Sequence, residues 1–74
     1  MTTRNFTAAI YREGDGFVAL CPELDVASQG DTLEQARANL KEAVELFLET
    51  AGEAEIAERL HGEIYLTGLE VSVG

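Results

Sequence analysis

One amphipathic helix with a defined start and end dominates the middle of the sequence. A capping box, T-L-E-Q, begins at Thr32, where the threonine hydroxyl can accept from the glutamine amide and the glutamine side chain can reach back to the Thr32 amide. Gly52 is a natural residue to follow a helix C-terminus. The sequence therefore predicts a helix from Leu33 to Thr50 or Ala51. Its apolar positions have the spacing of a core-facing stripe: Leu33, Ala36, Leu40, Ala43, Val44, Phe47 and Leu48.

Three short strands are predicted before this helix. Arg4 to Arg12 alternates as a strand does, and the glycines of E-G-D-G at residues 13–16 suit a hairpin turn. Phe17 to Cys21 is nearly all apolar, as a central strand covered on both faces would be. Pro22 cannot donate a ladder hydrogen bond, so this strand should stop there. Leu24 to Gln29 can form the third strand.

Two further elements are predicted after the long helix. Glu53 to His61 has apolar residues at helical spacing, which indicates a short second helix, and Ile64 to Val73 reads as a strand. The whole pattern predicts an α+β fold: a three-stranded antiparallel meander, one long helix packed on the sheet, a short second helix and a C-terminal strand. All 74 residues are expected to form one domain.

The C-terminal strand changes phase at Gly68. Apolar residues occupy even positions before the glycine and odd positions after it. A β-bulge inside one sheet would produce this switch. Alternatively, the strand leaves its own sheet and pairs with a partner subunit, which we favour because an exposed apolar edge strand invites pairing. The candidate residues for an oligomer interface are Leu69, Val71 and Val73.

The small size of the chain also favours assembly. A single core in a domain of this size rarely supplies more than roughly 3–5 kcal/mol, so small domains need an added source of stability. Cys21 is the only cysteine, which excludes an internal disulfide, and no cluster of histidine and cysteine indicates a structural metal. We therefore expect a homo-oligomer, a dimer or tetramer.

The chain is strongly acidic. Fourteen acidic and five basic residues give a net charge of −9, and most of the excess lies in residues 31–58. Direct binding to nucleic acid is not expected, because it depends on Lys and Arg. The acidic residues either form a solvated helix face or steer a basic partner. With no secretory signal and no apolar run long enough to span a membrane, a cytoplasmic protein is expected.

No catalytic residue, metal ligand or cofactor is predicted. Cys21 lies inside an apolar strand, where a thiol behaves as a small hydrophobe, and His61 lies at a helix C-terminus, where a cationic imidazole suits the helix dipole. Asp15 and Asp31 are explained by turns and caps, whereas the role of Asp25 stays open. We therefore expect a binding protein rather than an enzyme.

The order of elements and several turn residues resemble the HicB-like antitoxin domain, in its stand-alone form. The resemblance covers residues 15–48 and departs at residues 25–27, where a Pro-Gly-Cys-like turn is usual in the family. It implies a truncated RNase H-like domain that has lost nuclease activity. The residues that carry the resemblance are Asp15-Gly16-Phe17, Ala19, Pro22-Glu23-Leu24, Ser28-Gln29-Gly30-Asp31-Thr32, Leu33, Ala36, Asn39 and Glu42-Ala43.

The resemblance implies the antitoxin role in a toxin–antitoxin system. Such a domain binds a HicA-like toxin, a small basic mRNA interferase, and masks its RNA site. Full-length members usually add a C-terminal DNA-binding segment, which is not expected here because the predicted last strand reaches the end of the chain. The partner-binding candidates are Glu34, Glu42, Glu45 and Glu49 on the helix, with Glu23 and Asp25 on the loop.

Two alternatives stay open at this point. The chain could be a stand-alone oligomeric scaffold without a toxin, built by pairing of its C-terminal strand. It could also be a residual RNase H-like nuclease. This is the least favoured alternative, because roles in turns and helix caps explain the carboxylates better than a catalytic site does. An adjacent gene for a small basic protein would favour the antitoxin, and an isolated gene would favour the scaffold.

Overall fold

A computed structural model describes residues 4–60 and 62–74 of the chain. Three strands form one antiparallel sheet in the order β1-β2-β3, and the long helix packs against one face of it. This confirms the predicted α+β arrangement of a three-stranded meander, a long helix and a short helix. The elements are β1 (Ala9–Glu13), β2 (Gly16–Cys21), β3 (Val26–Gly30), α1 (Leu33–Thr50) and α2 (Glu53–Arg59).

The strand β2 lies at the centre of the sheet, between two neighbours joined by tight turns. Ile10 on β1 and Ser28 on β3 both lie opposite Ala19. The β1–β2 turn contains Gly14 at φ 61°, a left-handed conformation that glycine adopts without steric cost. The predicted hairpin is therefore confirmed, and its register is the one that the turn requires.

The first strand is shorter than predicted. It begins at Ala9 rather than Arg4, and Ala9 lies opposite Leu20, close to the end of β2. The strand β2 ends at Cys21 and the chain turns at Pro22, which has no amide hydrogen, so β2 offers no ladder partner to residues 4–7. Those residues are tied down instead by a side chain: both carboxylate oxygens of Glu23 lie 3.0 Å from the Thr7 amide nitrogen.

The third strand also begins later than predicted. Leu24 is part of the turn that leads into β3, where its amide donates to the Cys21 carbonyl at 3.3 Å. Asp25 follows at φ 56°, a left-handed conformation that aspartate tolerates better than most residues. Pairing therefore starts only at Val26.

The helix α1 has the predicted bounds and most of the predicted cap. The Thr32 hydroxyl accepts from the Gln35 amide at 3.0 Å, but the Gln35 side chain accepts from the Asp31 amide at 2.7 Å rather than from that of Thr32. The second half of the capping box therefore lies one residue earlier than expected. Asn39 then fixes the helix to β3, since its side-chain amide donates to the Gln29 carbonyl at 2.7 Å.

The core lies between α1 and the facing side of the sheet. Gly30 makes the close approach of α1 to β3 possible, because a Cβ built there would lie 2.5 Å from the Ala36 amide nitrogen. At the other end of α1, Arg59 of α2 lies over the Phe47 ring at 5.0 Å. The buried core residues are Ala19, Cys21, Leu24, Ala36, Leu40 and Val44.

The predicted C-terminal strand is not part of the sheet. None of the described residues from 62 onward is paired as a strand, so the structure contains neither the extension of the meander nor an internal bulge at Gly68. Within the described residues, the outer edge of β1 has no neighbouring strand. The apolar residues Leu69, Val71 and Val73 are left exposed.

Candidate protein-binding surface

The outer side of α1 carries an acidic stripe, which we define as Glu42, Glu45 and Glu49. These positions are three and four residues apart, so they lie on one side of the helix. All of them are exposed, whereas Leu40 and Val44 are buried on the other side. The core packing of α1 therefore fixes the direction in which the stripe points.

The short helix α2 continues the negative charge. The sequence between Lys41 and Arg59 contains six glutamates and no basic residue, and all six are exposed. Glu45 lies 3.2 Å from Lys41, but that pair is solvent-exposed and contributes little to stability. We define the acidic surface as Glu42, Glu45, Glu49, Glu53, Glu55 and Glu58.

Glu34 is not part of this acidic surface. It lies in the first turn of α1, where its charge suits the positive end of the helix dipole. Glu49 lies in the last turn, so the two residues are separated along the helix axis by about 22 Å. The structure therefore brings together three of the four helix candidates and leaves Glu34 at the opposite end.

Glu23 makes hydrogen bonds within its own chain. Its Oε2 accepts from the Thr7 hydroxyl at 2.7 Å, and both oxygens accept from the Thr7 amide. The Cys21 thiol also donates to Oε1 at 3.5 Å. Burial alone would raise the pKa of Glu23, but the hydrogen bonds from Thr7 outweigh it and hold the pKa below its ordinary value. This carboxylate bridges the N-terminal segment and the turn after β2.

The bridge should make stability depend on pH. A carboxyl group whose pKa is lowered by folding stabilises the protein above its unfolded pKa, and the effect disappears as the pH falls through the folded pKa. We expect Glu23→Gln to lower the free energy of unfolding at pH 7 by about 1.5 kcal/mol. The difference from the wild type should shrink below the ordinary glutamate pKa of 4.5. Urea unfolding at pH 7 and pH 3 measures it, and a difference independent of pH would contradict the bridge.

Cys21 is a core residue, as predicted. Its side chain is 1% exposed, and burial raises the pKa of its thiol, so the neutral form prevails at pH 7. His61 lies outside the described residues. In the part of the chain that the structure describes, no three His, Cys, Asp or Glu side chains come together as metal ligands would.

The far side of the sheet was missed by the sequence analysis. The apolar pattern of β2 predicts burial on both faces, but α1 covers only one, and Leu20 and Tyr11 remain exposed on the other. The sequence did indicate an uncovered face, since it contains one long helix but a central strand with two apolar faces. This open sheet face points away from α1, and therefore away from the acidic stripe.

Leu46 is an exposed apolar residue that was not among the candidates predicted from the sequence. It lies on α1 beside the stripe, four residues after Glu42 and three before Glu49, and it is 59% exposed. It falls outside the stripe of apolar residues that faces the sheet. An apolar side chain surrounded by carboxylates can provide the desolvated centre of a contact whose rim is charged.

None of the helices in the described part of the chain combines the length and the hydropathy needed to cross a membrane.

Similarity to known proteins covers a little more than half of the chain. The chain is 46% identical over 48 residues to the UPF0150 protein ssr1765 of Synechocystis. The match covers 62% of this chain and 61% of the relative. The chain is 47% identical over 38 residues to the UPF0150 protein ssl0738 of the same organism, or 50% of this chain and 53% of the relative. No family model matches, and no solved structure matches.

Proposed function

We propose that this chain is an antitoxin-like protein-binding module, which binds a small basic ribonuclease and masks its RNA site. The observation that carries the proposal is the acidic surface: six exposed glutamates on two consecutive helices, with no basic residue between them in the sequence. The resemblance to HicB-like antitoxins also supports it, since the residues that carry it lie on β2, β3 and α1 and in the turns beside them, which build the platform for this surface.

Charge explains why such a surface would silence a ribonuclease. A site that binds RNA must be lined with cationic groups that neutralise phosphates. Carboxylates on a helix fixed by its core contacts compete for the same cations. They also raise the rate of encounter, an effect that weakens as salt screens the charges. A partner bound in this way loses access to RNA without any chemistry by this chain.

Apolar contact must then hold the complex, and Leu46 is placed to supply it. The open sheet face cannot act together with the acidic stripe on one small partner, because the two point in opposite directions. Leu46 lies directly beside the acidic stripe, on the same outer side of α1, and keeps more than half of its surface exposed. Burial of one such side chain at the centre of an interface is the arrangement found at binding hot spots.

A pair of substitutions distinguishes the two faces. Leu46→Ala should weaken binding of the basic partner about 5- to 30-fold, mainly through faster dissociation, as truncation of a hot-spot residue does. Tyr11→Ala, on the open sheet face, is the control and should leave the affinity unchanged. Surface plasmon resonance with the partner co-purified from the native host measures both. A loss of affinity for Tyr11→Ala alone would place the partner on the sheet instead.

A homo-oligomeric scaffold is the second candidate function. The observation that favours it is the exposed apolar C-terminal segment, in which Leu69 is 87% and Val73 is 91% exposed. The neighbouring gene separates the two candidates. A small basic protein with a catalytic histidine encoded there supports the antitoxin, and co-purification of this chain with copies of itself alone supports the scaffold.

A further inference from the structure

The C-terminal segment, defined as residues 63–74, packs poorly on its own chain. Leu66, Leu69, Val71 and Val73 are all mostly exposed. The Cα radius of gyration is 14.3 Å, against about 11 Å for a compact chain of this length. Apolar side chains gathered in this way on a soluble protein mark an interaction site.

A groove of about 550 Å³ lies between residues 4–8 and the flank of α1. Its floor is the core itself, since Cys21, Leu40 and Val44 belong to both the core and the groove lining. The core is therefore closed on the β2 and β3 sides and accessible from the β1 side. The apolar residues that line the groove are Phe6, Ala8, Cys21, Leu40, Val44 and Leu48.

The free edge of β1, which begins at Ala9 next to Ala8 of the groove lining, can accept a strand. In the described residues β1 pairs with β2 alone, so its other edge presents unpaired backbone groups. A strand added there would turn every second side chain towards α1 and the alternate ones towards solvent. The end of the C-terminal segment has this pattern, because Leu69, Val71 and Val73 alternate with Glu70 and Ser72.

We propose that the C-terminal segment of a second copy of this chain adds as a strand to the β1 edge and places Leu69, Val71 and Val73 in the groove. We assign a second copy as the occupant because, in its own chain, the segment forms no strand, lies outside the groove lining and leaves its apolar side chains exposed. Reciprocal exchange fills both grooves and hides both free edges. It also adds apolar burial to a core that is small for an independent domain. The proposal does not depend on the antitoxin-like function.

A disulfide between two different chains tests the exchange directly. In a Cys21→Ala background, which removes the native thiol of the groove, Ala8→Cys is placed on the exposed groove wall of one chain and Val71→Cys on the segment of another, and the two chains are co-expressed and oxidised. Exchange predicts a covalent heterodimer, which neither single variant forms when expressed alone. The double variant Ala8→Cys/Val71→Cys should likewise give covalently linked chains. A monomer with an internal disulfide, or no disulfide when residues 69, 71 and 73 are tried in turn, overturns the proposal.

The mass in solution supplies a second test with a matched control. The wild type should have at least twice the chain mass of 8.0 kDa, and Leu69→Lys/Val71→Lys should reduce it to a single chain. Glu70→Lys/Ser72→Lys introduces the same substituted side chain at the alternate positions and should leave the assembly intact. A monomeric wild type, or an equal mass for the two double variants, contradicts the exchange.

Discussion

Gly30→Ala should remove about half of the folding free energy of the protein. The added Cβ would lie 2.5 Å from the Ala36 amide nitrogen and 2.8 Å from the Gln35 carbonyl carbon. Both are backbone atoms of α1, so no flexible side chain can move aside. Overpacking of a tight core costs about 1–3 kcal/mol or more. A core of this size supplies only roughly 3–5 kcal/mol, so about half of the stability should be lost.

Gly52→Ala is the matched control for this experiment. A Cβ at Gly52 would have no heavy atom within 4 Å, so the substitution should leave stability nearly unchanged. Circular dichroism during urea unfolding compares the midpoints of the two variants with that of the wild type. Equal midpoints for Gly30→Ala and Gly52→Ala would show that α1 does not approach β3 as closely as described.

Reversal of the acidic stripe should slow the association with a basic ribonuclease by about 10- to 1,000-fold at low salt. The variant Glu42→Lys/Glu45→Lys/Glu49→Lys replaces attraction by repulsion on the exposed side of α1. These side chains are exposed, so folding should be little affected. The dissociation rate should change less, because rim charges act mainly on encounter. Stopped-flow mixing at several salt concentrations separates the two rates.

The control for this variant makes the same change in net charge elsewhere. Glu13→Lys/Glu63→Lys/Glu70→Lys alters three glutamates outside the acidic surface. If the stripe itself is the contact, the control should keep nearly the wild-type association rate at 150 mM salt, where the Debye length is about 8 Å. Equal slowing of both variants would mean that net charge alone steers the encounter and that the acidic stripe is not the contact surface.

The bounds of α1 could be predicted closely because they depend on residues that are near one another in the sequence. Thr32 supplies the cap, and the apolar spacing points α1 at the sheet. Gly52 marks the end in the sequence, but at φ −75° it does not adopt the left-handed conformation that the glycine signal implies and begins α2 instead. The strand starts could not be predicted as well, because alternation in residues 4–8 is the same whether or not a partner strand continues beside them. The partner ends at Pro22, and a long-range bond from Glu23 replaces the ladder.

The candidate surface was predicted only in part. The acidic residues are visible in the sequence, but which of them share a surface depends on the length of α1, which separates Glu34 from Glu49. Glu23 could not be recognised as structural, because its partner Thr7 lies 16 residues away. The binding site of the C-terminal segment cannot be predicted from the pattern of one chain, because in the proposed exchange it lies on a second copy.

Masking of RNA cleavage is the activity that the proposed function requires. It is measured most directly by titrating this chain into an RNA-cleavage assay of the small basic protein encoded beside its gene. We expect cleavage to fall in proportion to the added chain and to stop near equimolar amounts, with a large excess of the Glu42→Lys/Glu45→Lys/Glu49→Lys variant needed for the same effect. Undiminished cleavage in the presence of excess wild-type chain would contradict the proposal.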